Sequence, residues 1–314
     1  MHVFRWDLDR TYLDTDIHSI SGLVRTALER PEDKRNIPGS SALMRSLHSH
    51  DPSARTHLIS GSPRQMRKVI EAKLKLDDVV VQKLTLKDNL GNLKRGRLRA
   101  VRGQVGYKLP ELLRHRIGLG PATSETLFGD DNEQDALIYA LYDACLTRQI
   151  QPDPLIRVLE ACGAYPDAIR SVKDSLRSLP PGPPVEDAFI LLDQRTPPQR
   201  FHGLGARIRP VYSWAQAALI LHARGRLSAE AWVRVAEACC SPELPLALVL
   251  PGWAQDTIRR ALLEREQLLA LLEEAPLSTA LQARVQRAVL RAGPLPTSSD
   301  APLFDPMAWL RAHT

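Results

Sequence analysis

Two aspartates stand directly after an apolar run at the start of the chain. Asp7 and Asp9 follow the run and are two positions apart, so on a continuing strand their side chains would point the same way and share one site. Open α/β sheets bind their ligands at the carboxyl ends of strands. Two close carboxylates repel each other unless a proton or a cation lies between them, and an oxygen-rich pocket suits Mg²⁺. The same residues also fit a strand followed by an Asx-type turn, in which Thr11 caps the next segment.

Three later segments end in polar residues of other chemical types. A short apolar run ends in Ser-Gly-Ser-Pro at residues 60–63, and a lone lysine, Lys108, stands at the entrance of a predicted helix. A further apolar run ends in an acidic cluster at residues 130–135. The order along the chain is therefore an acid pair, a serine, a lysine and a second acid pair.

This order resembles the four signature motifs of the haloacid dehalogenase superfamily of phosphoryl-transfer enzymes. Within that superfamily, residues 1–145 are similar to the catalytic domain of the actin-patch-associated phosphatidate phosphatases of fungi and their bacterial relatives. Those proteins carry Ser-x-Ser-Pro, found here at residues 60–63, and a Gly-Asp-x-x-x-x-Asp-x-x-Ile-Tyr run, found here from Gly129 to Tyr139. Arg10 occupies a motif position where this branch often has another acid, and this departure bears on substrate detail.

The resemblance implies a Mg²⁺-dependent phosphatase that works through an aspartyl-phosphate intermediate. It implies that Asp7 attacks phosphorus, while Asp9 protonates the leaving oxygen and then activates water. It implies that Mg²⁺ is held by the Asp7 carboxylate, the Asp9 carbonyl and Asp130. The residues that it assigns to phosphate binding are Thr11, Ser60, Gly61 and Lys108.

One more acid is implied beside the metal, and the choice among Asp131, Glu133 and Asp135 stays open. This acid would either bind the metal through water or orient Lys108. Taken alone, the acidic stretch is also typical of a solvated helix N-terminus, and a single lysine such as Lys108 is usually exposed.

The segment between the serine and lysine motifs is strongly basic. Residues 83–87 and 93–99 flank a turn and predict a hairpin beside the site. The cations of this basic flap include Lys94, Arg95, Arg97 and Arg99. In this superfamily bulky caps tend to accompany small soluble substrates and open sites large ones, so the resemblance implies an open site facing a phosphate on a lipid surface or a polymer. Taken alone, such a charge run is more often a solvated face.

The pattern of elements predicts an α/β fold of the haloacid dehalogenase type: a Rossmann-like, mostly parallel sheet with flanking helices, a minimal cap and an α-helical C-terminal part. Residues 1–212 are assigned to the catalytic domain, 213–293 to a helical domain or appendage, and 294–314 to a linker and tail.

Some elements outside the motifs can also be predicted. Strands are expected at residues 79–81, at 187–193 as the last member of the sheet, and at 207–212, where a proline indicates an edge. Trp214, Trp232 and Trp253 are expected to be core or packing residues rather than ligand stackers.

Composition limits the partners and the location. A net charge of +6 favours an anionic partner, and a phospholipid surface, a nucleic acid and an inositol phosphate all qualify. The aromatic share of 5% argues against repeated base-stacking platforms, and the four cysteines have the spacing of neither a zinc site nor a disulfide framework. The chain starts with its first strand and has no apolar run long enough to cross a bilayer, which predicts a cytoplasmic protein without a transmembrane segment. Nothing indicates the oligomeric state.

Three functions are consistent with these observations. The first is a Mg²⁺-dependent phosphomonoester hydrolase, with phosphatidate or a related phospholipid as the substrate that the resemblance implies. A nucleic-acid or nucleotide end phosphatase fits the charge equally well. The third is a catalytically silent interaction scaffold, which has no use for the repelling carboxylates that the sequence retains.

Overall fold

The computed structural model describes residues 1–15, 30–88, 103–132, 134–293 and 304–313, and its framework is a single open sheet. Six strands, all parallel, lie in the order β3-β2-β1-β4-β5-β6. They are β1 (His2–Trp6), β2 (Arg55–Pro63), β3 (Lys83–Lys87), β4 (Ser124–Asp130), β5 (Asp187–Leu191) and β6 (Ile208–Val211). The Rossmann-like α/β fold with flanking helices and a helical C-terminal part is confirmed.

Twelve α-helices flank the sheet within the described part of the chain. They are α1 (Ser40–His50), α2 (Arg67–Leu76), α3 (Val105–Ile117), α4 (Asp135–Leu146), α5 (Pro152–Ala161), α6 (Pro166–Ser178), α7 (Trp214–Ala223), α8 (Ala229–Ala238), α9 (Leu246–Arg259), α10 (Arg265–Glu274), α11 (Thr279–Arg291) and α12 (Pro306–His313). Short 3-10 turns lie at Pro31–Asp33, Arg64–Met66 and Pro198–Phe201.

The sheet has a separate hydrophobic core on each face. Successive side chains of a strand point to opposite faces, so Trp6 and Phe128 join the core formed with α1, α2 and α7 to α11. Leu127 and Ile190 join the core formed with α3 to α6 and α12. Because both faces are covered, the strands β1, β4 and β5 are buried along almost their whole length.

The C-terminal helices share the first of these cores with the sheet. The Trp6 ring stacks on Phe128 with centroids 3.9 Å apart, and Trp214 of α7 lies 5.4 Å from the first ring and 5.8 Å from the second. Trp214 and Trp232 are fully buried and Trp253 is partly buried against the same core, as expected for packing residues. The Trp214 indole N–H also donates a hydrogen bond to the Thr11 carbonyl at 3.1 Å, so α7 directly contacts the loop after β1.

One strand assignment made from the sequence was wrong, and a second strand was predicted correctly but given the wrong place in the sheet. Residues 79–81 form an irregular connection rather than a strand: Val79 N donates to Leu74 O at 2.9 Å at the end of α2, and Val80 is 45% exposed. An apolar run of three residues does not distinguish a strand from a connection that packs on the core. Residues 187–193 contribute β5, which is followed in the sheet by the edge strand β6, so β5 is not the last member.

The expected hairpin of the basic flap also needs a correction. Its first arm, Lys83–Lys87, is β3, the parallel edge strand of the main sheet, and it pairs with β2. The second arm, with Lys94, Arg95, Arg97 and Arg99, lies outside the described residues.

Two expectations from composition can be compared with the structure. None of the helices among the described residues combines the length and the apolar character that a membrane span needs. The four cysteines are free thiols, so no disulfide framework is formed among them.

Buried histidines predict a loss of stability in mild acid. Burial lowers the pKa of His2 and His57 to about 4 and that of His115 to about 3, with neighbouring cations such as Arg226 and Lys83 acting in the same direction. The unfolded chain takes up these protons near pH 6.5, whereas the folded chain does not, so the free energy of unfolding falls as the pH drops from 6.5 toward 4. Each histidine contributes about 1.4 kcal/mol per pH unit in this window.

Urea unfolding at pH 7.5, 6 and 5 measures this effect. Replacing His57 by glutamine should reduce the slope of stability against pH by about the share of one histidine, while carboxylates elsewhere contribute equally to both proteins. Identical slopes for the two proteins would contradict the prediction.

Candidate active site

The polar residues that follow three neighbouring strands meet at one edge of the sheet. Asp7 comes directly after β1, Ser60 and Ser62 lie among the last four residues of β2, and Asp130 ends β4. These strands are neighbours in the order β2-β1-β4 and run parallel, so their carboxyl ends lie side by side.

Three carboxylates from three different elements lie close together at this edge. One oxygen each of Asp7, Asp130 and Asp135 can be chosen so that all three lie within 4.8 Å of one another. Asp135 reaches the group because it is the first residue of α4. All three side chains are at most 1% exposed, so their charges are not compensated by bulk water.

Lys108 lies between two of these carboxylates. Its Nζ is 2.7 Å from Asp7 Oδ1 and 2.6 Å from Asp135 Oδ1, and the side chain is fully buried. It reaches this position from the first turn of α3. Three formal negative charges and one positive charge leave the cluster of Asp7, Asp130, Asp135 and Lys108 with two negative charges.

Asp9 lies beside this cluster and is held by hydroxyl groups. Its Oδ2 accepts from Ser60 Oγ at 2.8 Å and from Ser62 Oγ at 2.7 Å, and its Oδ1 accepts from Thr15 Oγ1 at 2.9 Å. The Asp9 carboxylate is thereby fixed in orientation although it is not one of the three grouped carboxylates.

Thr11 joins the β1 loop to the acidic end of β4. Its hydroxyl donates to Asp130 Oδ2 at 3.0 Å, and the backbone N–H of Asn132 donates to Asp130 Oδ1 at 2.7 Å. The loop itself turns back on Leu8, whose carbonyl accepts from the N–H groups of Tyr12 and Leu13 at 2.9 and 2.8 Å. The turn places Thr11 opposite Asp130 rather than pointing it along the strand.

Two glycines allow the close approaches that the site needs. A Cβ on Gly129 would lie 2.5 Å from Asp135 Oδ2 and 2.9 Å from a ring carbon of Tyr139, so only glycine lets α4 start this near to β4. A Cβ on Gly61 would lie 2.4 Å from the side-chain nitrogen of Gln104, the residue before α3. Gly129 therefore determines how closely the helix that carries Asp135 approaches the sheet, whereas at Gly61 the neighbouring atoms are the end of a flexible side chain.

Tyr139 adds a buried neutral group to this wall of the site. Burial, together with the negative charge of Asp135, raises the pKa of Tyr139 well above its ordinary value. Its hydroxyl donates to the Phe128 carbonyl at 3.0 Å. Tyr139 therefore serves as a neutral packing and hydrogen-bonding residue near neutral pH.

The structure brings together most of the residues selected from the sequence. The residues that meet at this edge are Asp7, Asp9, Thr11, Ser60, Gly61, Lys108, Asp130 and Asp135. Of the three acids left open, Asp135 lies in the cluster and contacts Lys108. Asp131 instead accepts hydrogen bonds from the backbone N–H groups of Gln194 and Thr196, and Glu133 lies outside the described residues.

Two residues of the site were not selected from the sequence. Ser62 could have been identified from the sequence, because it is two positions from Ser60 and so lies on the same side of a strand. Thr15 could not have been identified from the sequence, since its contact with Asp9 depends on the turn between them.

The carboxylate cluster has the chemistry of a divalent-cation site. Mg²⁺ prefers oxygen ligands and usually binds one or two carboxylates together with water and substrate phosphate. The two excess negative charges of the cluster match one divalent cation. Asp7, Asp130 and Asp135 are the residues that could hold it.

Comparison with known proteins gives one match. Residues 6–152 match the family model described as "Phosphatidate phosphatase APP1, catalytic domain". The matched segment contains every residue of the carboxylate cluster, and it confirms the resemblance to the phosphatidate phosphatase family. No curated protein and no solved structure gives a significant match. The match supports a hydrolase of the phosphatase class.

Proposed function

We propose that this protein is a Mg²⁺-dependent phosphomonoester hydrolase of the haloacid dehalogenase type, and that its substrate is phosphatidate or a related phospholipid. The observation that carries the proposal is the contact of Lys108 with both Asp7 and Asp135 inside a buried group of three carboxylates. Phosphate monoesters are dianions, so their hydrolysis depends on charge neutralisation and in-line placement. Bound Mg²⁺ supplies positive charge to the phosphoryl oxygens.

Asp7 is the nucleophile in this proposal. A carboxylate oxygen of Asp7 attacks phosphorus, the bond from phosphorus to the ester oxygen breaks, and an aspartyl-phosphate forms. Lys108, 2.7 Å from Asp7 Oδ1, fixes the direction of the carboxylate and offsets part of the charge that gathers as the anionic substrate approaches.

Asp9 transfers the protons. In its protonated form it gives a proton to the leaving alkoxide, and as a carboxylate it then takes a proton from the water that attacks the aspartyl-phosphate. This second step releases phosphate and restores Asp7. The hydroxyls of Ser62 and Thr15 hold the Asp9 carboxyl in one orientation.

The phosphoryl group is bound by the donors around these carboxylates. The Ser60 and Thr11 hydroxyls donate to Asp9 and Asp130 at 2.8 and 3.0 Å in the structure, and in this proposal each turns its single hydrogen to a phosphoryl oxygen when the substrate binds. The backbone N–H of Gly61 is a further donor in this proposal.

The choice of phospholipid comes from the matched family. The alternative, a nucleic-acid or nucleotide end phosphatase, is favoured by the net charge of +6 but by no described contact. Both substrates carry a terminal phosphate on a large body, and one experiment can separate them.

The test is a phosphate-release assay with the full chain. The substrates are phosphatidate in mixed micelles, a generic aryl phosphate, a nucleotide and a 5′-phosphorylated oligonucleotide, each with Mg²⁺ and with EDTA. We expect Mg²⁺-dependent release that is fastest from phosphatidate. Fastest release from the oligonucleotide would replace the lipid assignment, and no release from any of the four would reject the phosphatase.

The close approach at Gly129 predicts a loss of cation binding on a small substitution. In Gly129→Ala the new methyl group meets the Asp135 carboxylate, which must move away from Asp7 and Lys108. We expect Mg²⁺ affinity and activity to fall about 10- to 100-fold, the usual cost of disturbing the groups around a metal site. Calorimetric titration with Mg²⁺ and the aryl phosphate assay measure both effects.

Gly252→Ala is the matched control. Gly252 lies in α9 with no neighbouring atom within 4 Å of an added Cβ, so alanine should fit and strengthen the helix. If Gly129→Ala binds Mg²⁺ as tightly as Gly252→Ala does, Asp135 does not contribute to the cation site.

A further inference from the structure

We propose that Arg10 is a positioning residue that holds residues 192–196, here called the β5 loop, across the active site as one of its walls. The proposal rests on the proposed phosphatase function, since its activity readout is phosphate release. The β5 loop follows β5 in the chain and lies beyond the segment 6–152 that matches the family model.

The first attachment of the β5 loop is to the acidic end of β4. Asp131 Oδ1 accepts from the backbone N–H of Gln194 at 2.9 Å, and Asp131 Oδ2 accepts from the backbone N–H of Thr196 at 3.0 Å. Asp131 directly follows Asp130 of the carboxylate cluster. The two hydrogen bonds therefore tie the loop to a residue adjacent to the proposed metal site.

The second attachment is to the loop after β1. Arg10 Nε donates to Asp193 Oδ2 at 2.8 Å, and the same guanidinium forms ion pairs with Asp193 and Asp14. The side chain of Gln194 also donates to Asp193, at 3.1 Å. Arg10 is 21% exposed and Asp193 is 18% exposed, so this pair is screened less than a surface ion pair.

The backbone at Arg10 gives independent support. Its φ is 59°, in the left-handed region that glycine adopts readily and that costs other residues free energy. Arg10 is also the residue between Asp9 and Thr11, both of which we place in the catalytic machinery. The contacts of the arginine side chain therefore offset the free-energy cost of this backbone conformation. Because Asp9 and Thr11 are the adjacent residues, a shift of Arg10 also shifts them.

The consequence is that the catalytic unit includes the β5 loop. With Arg10 paired to Asp193, the loops after β1, β4 and β5 form one connected rim. Without the pair, Asp9 and Thr11 lose an anchor on the β5 side, while the hydrophobic core of the sheet is unchanged.

Arg10→Gly tests the role of the side chain separately from that of the backbone conformation. Glycine relieves the left-handed backbone while the ion pair with Asp193 is lost, so the melting temperature should change little, whereas loss of the Arg10–Asp193 pair should lower kcat on the aryl phosphate about tenfold with little change in KM. Amide hydrogen exchange at Gln194 and Thr196 should become faster. Asp193→Asn should have the same effect on kcat and on exchange.

A charge-reversed pair and a surface control complete the test. Arg10→Asp with Asp193→Arg restores an ion pair and should regain most of the lost kcat, while Arg177→Ala, an exposed arginine of α6, should behave as the wild type. Wild-type kcat and wild-type exchange in Arg10→Gly would overturn the proposal. If the wild-type protein releases no phosphate, the proposed function fails, and the exchange rates alone then decide whether the Arg10–Asp193 pair holds the β5 loop.

Discussion

Replacing Asp7 by asparagine should reduce Mg²⁺-dependent phosphate release by at least about a thousandfold, because an amide is neither a nucleophile toward phosphorus nor a charged partner for Lys108. The substitution keeps the size of the side chain, so the packing after β1 is preserved. The measurement is kcat on the aryl phosphate, together with acid quenching during turnover. Wild-type protein should carry phosphate on the peptide that contains Asp7, and the variant should carry none.

A matched control comes from the opposite end of the sheet. Asp187 is also a fully buried aspartate paired with a cation, Arg209, but it begins β5 at the amino-terminal edge. Asp187→Asn tests the loss of a buried carboxylate without touching the site, and its kcat should stay close to the wild-type value. Retention of turnover in Asp7→Asn would remove the nucleophile assignment.

The second large effect is expected at Lys108. In Lys108→Met the cluster loses the cation that contacts Asp7 and Asp135, and a buried charge without its partner costs about 3 to 5 kcal/mol of folding stability. We therefore expect a strong drop in the melting temperature in EDTA. Because Mg²⁺ binds the folded form, its addition should stabilise the variant more than it stabilises the wild-type protein.

Lys73→Met provides the comparison for Lys108→Met. Lys73 of α2 is also largely buried and lies 2.7 Å from Asp77, outside the site. Its loss should lower stability by the same amount with and without Mg²⁺. An equal rise in melting temperature on adding Mg²⁺ to the two variants would mean that Lys108 does not offset the negative charge of a cation site.

The sequence predicts the position of the site because the chemistry comes at the ends of strands. Asp7, Ser60 and Asp130 each follow an apolar run, and parallel strands bring such ends to one edge. The order of residue types along the chain was therefore enough to bring most of the site together. Lys108 was predicted only from its place in that order, since nothing in its local sequence indicates burial.

Contacts between distant segments could not be predicted. The choice between Asp131 and Asp135 depends on the β5 loop, whose amides bind Asp131 from more than 60 positions away. Likewise, residues 79–81 are more apolar than Lys83–Lys87, yet only the latter pair with β2, because the register with the neighbouring strand is a tertiary property. The role of Arg10 depends on Asp193, another partner that no local pattern reveals.

The packing of the Trp6, Phe128 and Trp214 rings against one another has a consequence for shortened or recombined versions of this chain. A polypeptide cut at the boundary of the recognised family segment would keep the first two rings but lose α7 and the strand that borders β4. Its sheet would then present an unpaired border and a bare aromatic face to water, which are the features that drive chains to self-associate. Exchange of modules between homologues should therefore use junctions beyond α7 rather than at residue 152.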